Sequence, residues 1–303
     1  MTELRTGLVL HARSGRHRVE YGDSVYTCQL RGKLKRERLA TDLIATGDRV
    51  LWRRTRAGRG VIEEILPRET QLSRRRPGPG RTPTEQVIVA NPDQVVFIFA
   101  VRHPSPRLRL LDRLLVIAEA NELPAIICAN KVDLLCDAQV PQNQFDIYEA
   151  IGYRVIYASA LTGDGVDALR EQLVGKLSVL SGPSGVGKSS LLNAIQPDLG
   201  LATRQISEAT GKGRHATVSV RLWPLQGGGH VADTPGLREA GFYDIEEDEL
   251  ASYFLEMRTL LSDCRFSSCI HTHEPGCAVK AAVNRGEISQ GRYDSYCRML
   301  EDR

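Results

Sequence analysis

One run, GPSGVGKS at Gly182–Ser189, constrains this chain more than any other. It follows the apolar stretch Leu177–Ser181 and opens a helical pattern over Lys188–Ile195. That is the strand–loop–helix setting which the G-x-x-x-x-G-K-[ST] pattern requires. Glycines at 182, 185 and 187 let the backbone amides of Gly182, Ser184, Gly185, Val186, Gly187 and Ser190 close around phosphate oxygens at a helix amino terminus. Lys188 would neutralise the terminal phosphates, and the Ser189 hydroxyl would ligate Mg²⁺.

The surroundings fit a parallel sheet. From Gln86 onward, strand-like apolar runs (Gln86–Ala90, Gln94–Val101, Ala125–Ala129, Arg154–Ala158) alternate with helix-like stretches near 107–121, 143–151 and 164–175. Near-continuous apolar strands in such an alternation imply helices on both faces. NKVD, Asn130–Asp133, follows one of these strands at the carboxyl edge, where open α/β sheets take their ligands. The Asp133 carboxylate can accept from guanine N1–H and the exocyclic amine, whereas adenine presents the wrong pattern. Lys131 would lie against the ring, and Asn130 would brace the loop. Ser159 and Ala160, at the next strand end, offer a backbone contact to the base oxygen. DTPG, Asp233–Gly236, supplies an Asp for Mg²⁺ and a Gly236 N–H for the γ-phosphate. Between cradle and DTPG, GKGRHATVSV (Gly211–Val220) offers Thr217 as a second hydroxyl for Mg²⁺. These elements make one GTP site in an unusual order, base motif first and cradle later. Chain termini lying close in space allow such a rotation, so the expectation is a circularly permuted GTPase domain.

Flanking it are two other textures. Residues 1–90 hold 19 Lys/Arg against 10 Asp/Glu, although the whole chain is only +3. Short strands (Thr6–His11, Arg18–Tyr21, Val25–Leu30, Arg49–Arg53, Gly60–Leu66) separated by Gly-containing turns suggest a small barrel for a polyanion partner. Arg31, Lys33, Lys35, Arg36 and Arg38 are its candidate phosphate contacts, with Arg74–Arg76 in support. Ser73–Pro83 reads as a basic linker. After about Gly241 the strands stop, and helical patterns enclose Cys264-x₄-Cys269-x-His271-x₅-Cys277. Thiols with an imidazole suit a closed tetrahedral zinc site, one structural ion per chain. On spacing alone His273 competes with His271, and Cys297 with the other thiols. Cys28, Cys128 and Cys136 read as core thiols. The expected domains are therefore 1–72 (barrel), 73–85 (linker), 86–241 (permuted GTPase) and 242–303 (helical zinc domain). Seven cysteines, an odd number, argue against a disulfide framework. No apolar run has the length of a membrane span or a secretory signal, so a cytoplasmic protein is expected.

Taken together these motifs resemble the RsgA (YjeQ/YloQ) family of bacterial small-ribosomal-subunit-dependent GTPases, across essentially the whole chain. The resemblance rests on Arg31-Gly32-Lys33, Gly47–Val50, Gly58–Glu63, NKVD, GPSGVGKSSLLN, GRH, DTPG and the CRF…C-x-H-x-x-EPGCAV run at 264–279. It implies an OB-like barrel, a permuted GTPase domain and a carboxyl-terminal zinc domain whose ligands are Cys264, Cys269, His271 and Cys277. It also implies late action on the small subunit, with binding near the decoding region and GTP hydrolysis that the subunit stimulates. The partners would be that subunit and its rRNA, with GTP and GDP, and no membrane; a monomer is expected. Where the family reads GRHTTT, this chain reads GRHATV, leaving Thr217 as the local hydroxyl. Leu237 stands where many GTPases carry the water-orienting glutamine. His215, beside Lys188 and Thr217 as the candidate catalytic groups, is the nearest residue to position the water; alternatively it contacts rRNA phosphate. The rival readings are an ATP-dependent P-loop enzyme with an incidental NKVD, and an RNA-binding platform with a vestigial nucleotide site.

Overall fold

Buried apolar residues recur along five short strands within the first sixty-five residues, which curl into a closed barrel. The computed structural model describes residues 3–13, 15–32, 43–76, 84–135, 144–201, 220–234 and 245–302. The barrel strands are β1 (Arg5–Arg13), β2 (Arg16–Tyr21), β3 (Ser24–Leu30), β4 (Arg49–Arg56) and β5 (Arg59–Ile65), in the order β1-β2-β3-β5-β4. Val9, Val19, Cys28, Val50, Trp52 and Ile62 fill its core. Gly60 is required there, because a Cβ would come within 2.6 Å of the Trp52 ring. Of the expected RNA contacts, Arg31 lies just after β3 and donates to Glu63 at 2.8 Å. Lys33, Lys35, Arg36 and Arg38 lie outside the described residues, as does Cys136.

The segment read as a linker is different at both ends. β6 (Gln71–Arg76) pairs antiparallel with β7 (Thr84–Ala90), so only 77–83 falls outside the described strands. Arginine-rich composition concealed this ribbon. It forms because Leu72 and Val89 bury against the helix-covered face of the main sheet, a tertiary gain that local propensity does not register.

That sheet has the order β10-β9-β8-β11-β13-β12. Its strands are β8 (Gln94–Ala100), β9 (Ala125–Asn130), β10 (Arg154–Ala158), β11 (Leu177–Ser181), β12 (Leu222–Pro224) and β13 (His230–Asp233). All pairings are parallel except the edge strand β12. Every residue of β8 is buried, as expected for a strand with both faces covered. Helix α1 (Leu108–Ala120) and α2 (Asp146–Ala150) cover one face; α3 (Val166–Leu173) and α4 (Lys188–Ile195) cover the other. No strand appears among the described residues after 245. There α5 (Leu255–Arg258), α6 (Ala278–Asn284) and α7 (Gln290–Glu301) surround a separate core that also takes in Val116 of α1.

Candidate nucleotide site and metal centre

Parallel pairing brings the carboxyl ends of five strands to one edge, with Ala100, Ala158 and Asn130 in register and Asp233 opposite Leu180. The glycine loop leaves β11 at this edge. Gly182 has φ +153, and a Cβ there would meet the Ile98 carbonyl oxygen at 2.0 Å, so the loop can press onto β8 only as glycine. Gly187 has φ +94, and its Cβ would come 2.4 Å from Asn130 Nδ2. The cradle and the base motif are thus in contact.

Hydrogen bonds fasten the two together. Asn130 Nδ2 donates to the Val186 carbonyl at 2.7 Å, and Asn130 is buried. Lys131, itself left-handed at φ +66, donates to the carbonyls of Gly185 (2.7 Å) and His103. Ser159 Oγ donates to Asp133 Oδ1 at 2.5 Å, and the Ala160 N–H donates to Asn130 Oδ1 at 3.4 Å. On the other side, Thr234 is tied to β11 through its N–H and hydroxyl, both donating to the Leu180 carbonyl (3.2 and 3.3 Å). Lys188 curls over the loop, donating to the carbonyls of Gly182 (2.9 Å) and Pro183 (3.1 Å). Lys188 and Ser189 are buried at the loop's base, whereas Ser184 and Gly185 are exposed at its crest and Ser190 is half-buried.

So Asn130, Lys131, Asp133, Ser159, Ala160, Gly182–Ser189 and Asp233 share one edge of one sheet. His215, Thr217 and Gly236 lie outside the described residues. Two contributors escaped sequence reading. The Ser159 hydroxyl holds the carboxylate of Asp133, where only a backbone contact was expected. The His103 carbonyl anchors Lys131, and the signal for it was topological, since β8 also ends at this edge.

In the carboxyl-terminal module the ligand atoms of Cys264, Cys269, His271 and Cys277 lie within 4.8 Å of one another. Cys264 and Cys277 Sγ are 4.0 Å apart, and each is 3.5 or 3.4 Å from His271 Nδ1. A tetrahedral ion with bonds of zinc length would set edges of about 3.8 Å between sulfurs and about 3.6 Å from sulfur to nitrogen. The donor set and its spacing therefore fit such an ion. Burial pulls His271 below its ordinary pKa, which favours the neutral imidazole a metal needs. His273 is exposed, and neither it nor Cys297 belongs to the cluster. The chain around His271 is set by Glu274, which accepts from the N–H groups of Ile270 (2.9 Å), Thr272 (3.0 Å) and His273 (3.2 Å). Burial opposes ionisation of Glu274, but hydrogen bonds from the backbone N–H groups of Ile270, Glu274 itself and Thr272 outweigh it and hold the carboxyl at about 2. Tyr293 OH donates to the His271 carbonyl at 2.7 Å and Tyr296 OH to that of Ile270 at 2.8 Å, docking the ligand loop on α7.

Comparison with known proteins agrees with this geometry. A family model described as RsgA GTPase matches residues 65–243. A small ribosomal subunit biogenesis GTPase RsgA from Gemmatimonas aurantiaca is 48% identical over 306 residues, covering 100% of this chain and 98% of that protein. Its namesake from Moorella thermoacetica is 44% identical over 296 residues, covering 98% and 96%. The crystal structure of YjeQ from Thermotoga maritima is 36% identical, covers 99% of this chain and 98% of its own, and superposes with a TM-score of 0.77. YloQ, described as a circularly permuted GTPase, is 35% identical with a TM-score of 0.74, covering 99% and 95%. In this chain too, the strand carrying the cradle follows in sequence the two that carry the base contacts. The chain belongs to the RsgA GTPase family.

Proposed function

We propose that this protein hydrolyses GTP to GDP and phosphate as a late maturation factor of the small ribosomal subunit, slowly alone and faster on the subunit, binding rRNA near the decoding region. The observation that carries the nucleotide reading is the meeting of base motif and cradle, with Asn130 bonded to Val186 and Lys131 to Gly185. The relatives' printed names carry the ribosomal part.

In this reading the amides of Gly182–Ser190 take the phosphate oxygens, and Lys188 leaves the carbonyls of Gly182 and Pro183 for the terminal phosphates. Asp133, held by Ser159, accepts from guanine N1–H and the exocyclic amine. The Ala160 N–H meets the base oxygen, and Lys131 covers one ring face. Ser189, Thr217 and Asp233 are hydroxyl and carboxylate donors of the kind that hold Mg²⁺, which when bound neutralises charge on the phosphates. Gly236 offers its N–H to the γ-phosphate. His215 orients the attacking water, because Leu237 has no group to do so. Cys264, Cys269, His271 and Cys277 hold one structural zinc ion. The barrel binds RNA through Arg31, Lys33, Lys35, Arg36 and Arg38. The protein acts as a cytoplasmic monomer; no helix among the described residues is long and apolar enough to cross a membrane.

The deciding experiment is GTP turnover with and without small ribosomal subunits. Turnover should rise by roughly 10²-fold with subunits and lose most of that gain in His215→Ala, the range of one water-positioning or proton-transfer group. Equal rates with and without subunits would remove the ribosomal role; wild-type rates in His215→Ala with normal binding would assign that residue to RNA.

The base contact has its own test. Asp133→Asn should weaken GTP by roughly 10- to 100-fold, the 1–3 kcal/mol of a bidentate base contact, and leave ATP unaffected. Competition binding reads it directly, and an ATP-dependent enzyme would show no such loss.

A further inference from the structure

Thr46 lies in the turn before β4 and is 4% exposed, yet its hydroxyl reaches beyond the barrel. Thr46 Oγ1 accepts from the Ala12 N–H of β1 at 3.2 Å and donates to the Val220 carbonyl at 3.0 Å. The turn that presents it is fixed from several sides. The Ala45 N–H donates to Asp48 Oδ2 at 2.7 Å, and Arg68 donates to both oxygens of that buried carboxylate, at 2.8 and 3.0 Å. The Gly47 N–H donates to the Val9 carbonyl and the Ala90 N–H to the Thr46 carbonyl, each at 2.8 Å. Gly47 sits at φ +95, where a Cβ would meet the Ala90 carbonyl oxygen at 2.0 Å. The hydroxyl is thus held by barrel, ribbon and turn before it meets Val220.

Val220 leads into β12, next to the antiparallel bridge between His11 and Arg221. β12 pairs antiparallel with β13, Leu222 facing Ala232. Val220 and Arg221 therefore stand at the end of this hairpin where β13 delivers Asp233, itself opposite Leu180 of the cradle strand. At the hairpin's other end His230 Nε2 lies 2.8 Å from Glu20 Oε2 of β2. β12 has three residues and β13 four, so their own ladder bonds are few, and the barrel grips both ends of the pair. We infer that Thr46 is a positioning residue for the nucleotide site: through Val220 and the β12–β13 edge, its hydroxyl sets where Asp233 stands. The inference rests on the nucleotide reading above, in which Asp233 is a Mg²⁺ donor, and adds a group that touches neither nucleotide nor metal. The same bond gives the barrel a short route to the site from the side away from the base motif.

The test is binding of a non-hydrolysable GTP analogue to the full-length protein, with saturating Mg²⁺ and with none added. Thr46→Val keeps the branched shape and leaves the Ala12 N–H and the Val220 carbonyl without their partner. It should cut the affinity gained from Mg²⁺ by roughly 3- to 10-fold, the worth of one ordinary hydrogen bond, and leave metal-free affinity within about twofold. Thr46→Ser, which retains the hydroxyl, should restore the gain. In an Asp233→Asn background Thr46→Val should cost nothing more, because both changes act on one metal contact. Amide exchange should quicken in β12 and β13 and hold in β2 to β5. An undiminished Mg²⁺ gain in Thr46→Val, with a reduced one in Asp233→Asn, overturns the positioning role and spares the site. Equal loss with and without Mg²⁺, no rescue by serine, or an additive loss on Asp233→Asn overturns it too, leaving Thr46 as a seat for the barrel. A full gain in Asp233→Asn overturns the metal reading itself. Should Thr46→Val fail to fold, Thr46→Cys, whose thiol is a feeble donor, carries the same comparison.

Discussion

Arg292→Met should loosen the docking of the carboxyl-terminal module by about 3–5 kcal/mol, the cost of stranding buried carboxylates without their cation. Arg292 on α7 and Asp112 on α1 are each 2% exposed and meet at 2.7 Å. The same guanidinium donates to both oxygens of Glu256 on α5, at 2.7 and 3.0 Å, and lies 4.7 Å over the Phe254 ring. Asp112 also accepts from Tyr148 OH at 2.7 Å and from Ser295 Oγ at 2.5 Å. Burial pulls Arg292 toward its neutral form, but Glu256 and Asp112 outweigh it and raise its pKa. Burial and the Asp112 charge push the Tyr148 phenol up, so it stays a donor. A three-part chain has no single unfolding free energy, so the readout is amide exchange in 278–301. Protection there should fall by roughly 10²- to 10⁴-fold, the same energy expressed as an opening equilibrium. Glu256→Gln with Arg292→Met should lose less than the two single changes together, because they share one interaction. A change under about tenfold in Arg292→Met would mean that the apolar contacts of α7 alone hold the module.

The network explains what sequence reading reached and what it missed. The barrel strands, the cradle and the parallel strands from Gln94 onward are local patterns, each with its own period and turn residues, and they appear where expected; Gln86–Ala90, read with the parallel strands, instead pairs antiparallel with β6 outside that sheet. Asp112 and Arg292 are 180 positions apart and look like ordinary surface charges, because only the packed structure shows that both are out of water. The arginines of β6 misled for a related reason: their neighbours Leu72 and Val89 are buried by a helix the local sequence does not announce. The choice between His271 and His273 was illegible in the spacing, since both precede Cys277 at workable distances, and only the family resemblance pointed to His271. Burial, a left-handed backbone at φ +60 and the Glu274 cradle place His271 inward.

The rotated chain order gives the module its position. In the sheet, α1 leaves β8 through a loop whose His103 carbonyl holds Lys131, and its body carries Asp112. The module that follows β13 in sequence docks on that same helix. The loop into this helix therefore touches the anchor of the base motif, and the helix itself meets the cysteine–histidine module. A domain appended after the base motif would have no such short route.

Removing the metal should unfold 264–277 and fray α6 while leaving the barrel and sheet intact. Between Cys264 and Cys277 the described chain has no helix or strand of its own. Its fixed points are the four ligands, the Glu274 acceptors and two tyrosine hydroxyls. Cys277 is also the cap of α6, its sulfur accepting from the Lys280 N–H at 3.4 Å, so the ligand loop and the helix start share an atom. Without a cation the three sulfurs and the imidazole have no common partner to hold them together, and structural zinc sites of this kind supply about 10–16 kcal/mol of apparent binding energy in isolated finger peptides. Chelation should therefore abolish amide protection in 264–284, whereas α7, pinned by Arg292 to Asp112, should keep part of its own. Metal analysis should find one zinc ion per chain in the wild type and lose it in Cys264→Ser and His271→Ala. Cys297→Ser and His273→Ala should retain it, because neither side chain reaches the cluster. Retention of zinc in Cys264→Ser, or its loss in His273→Ala, would assign the fourth position to a different residue.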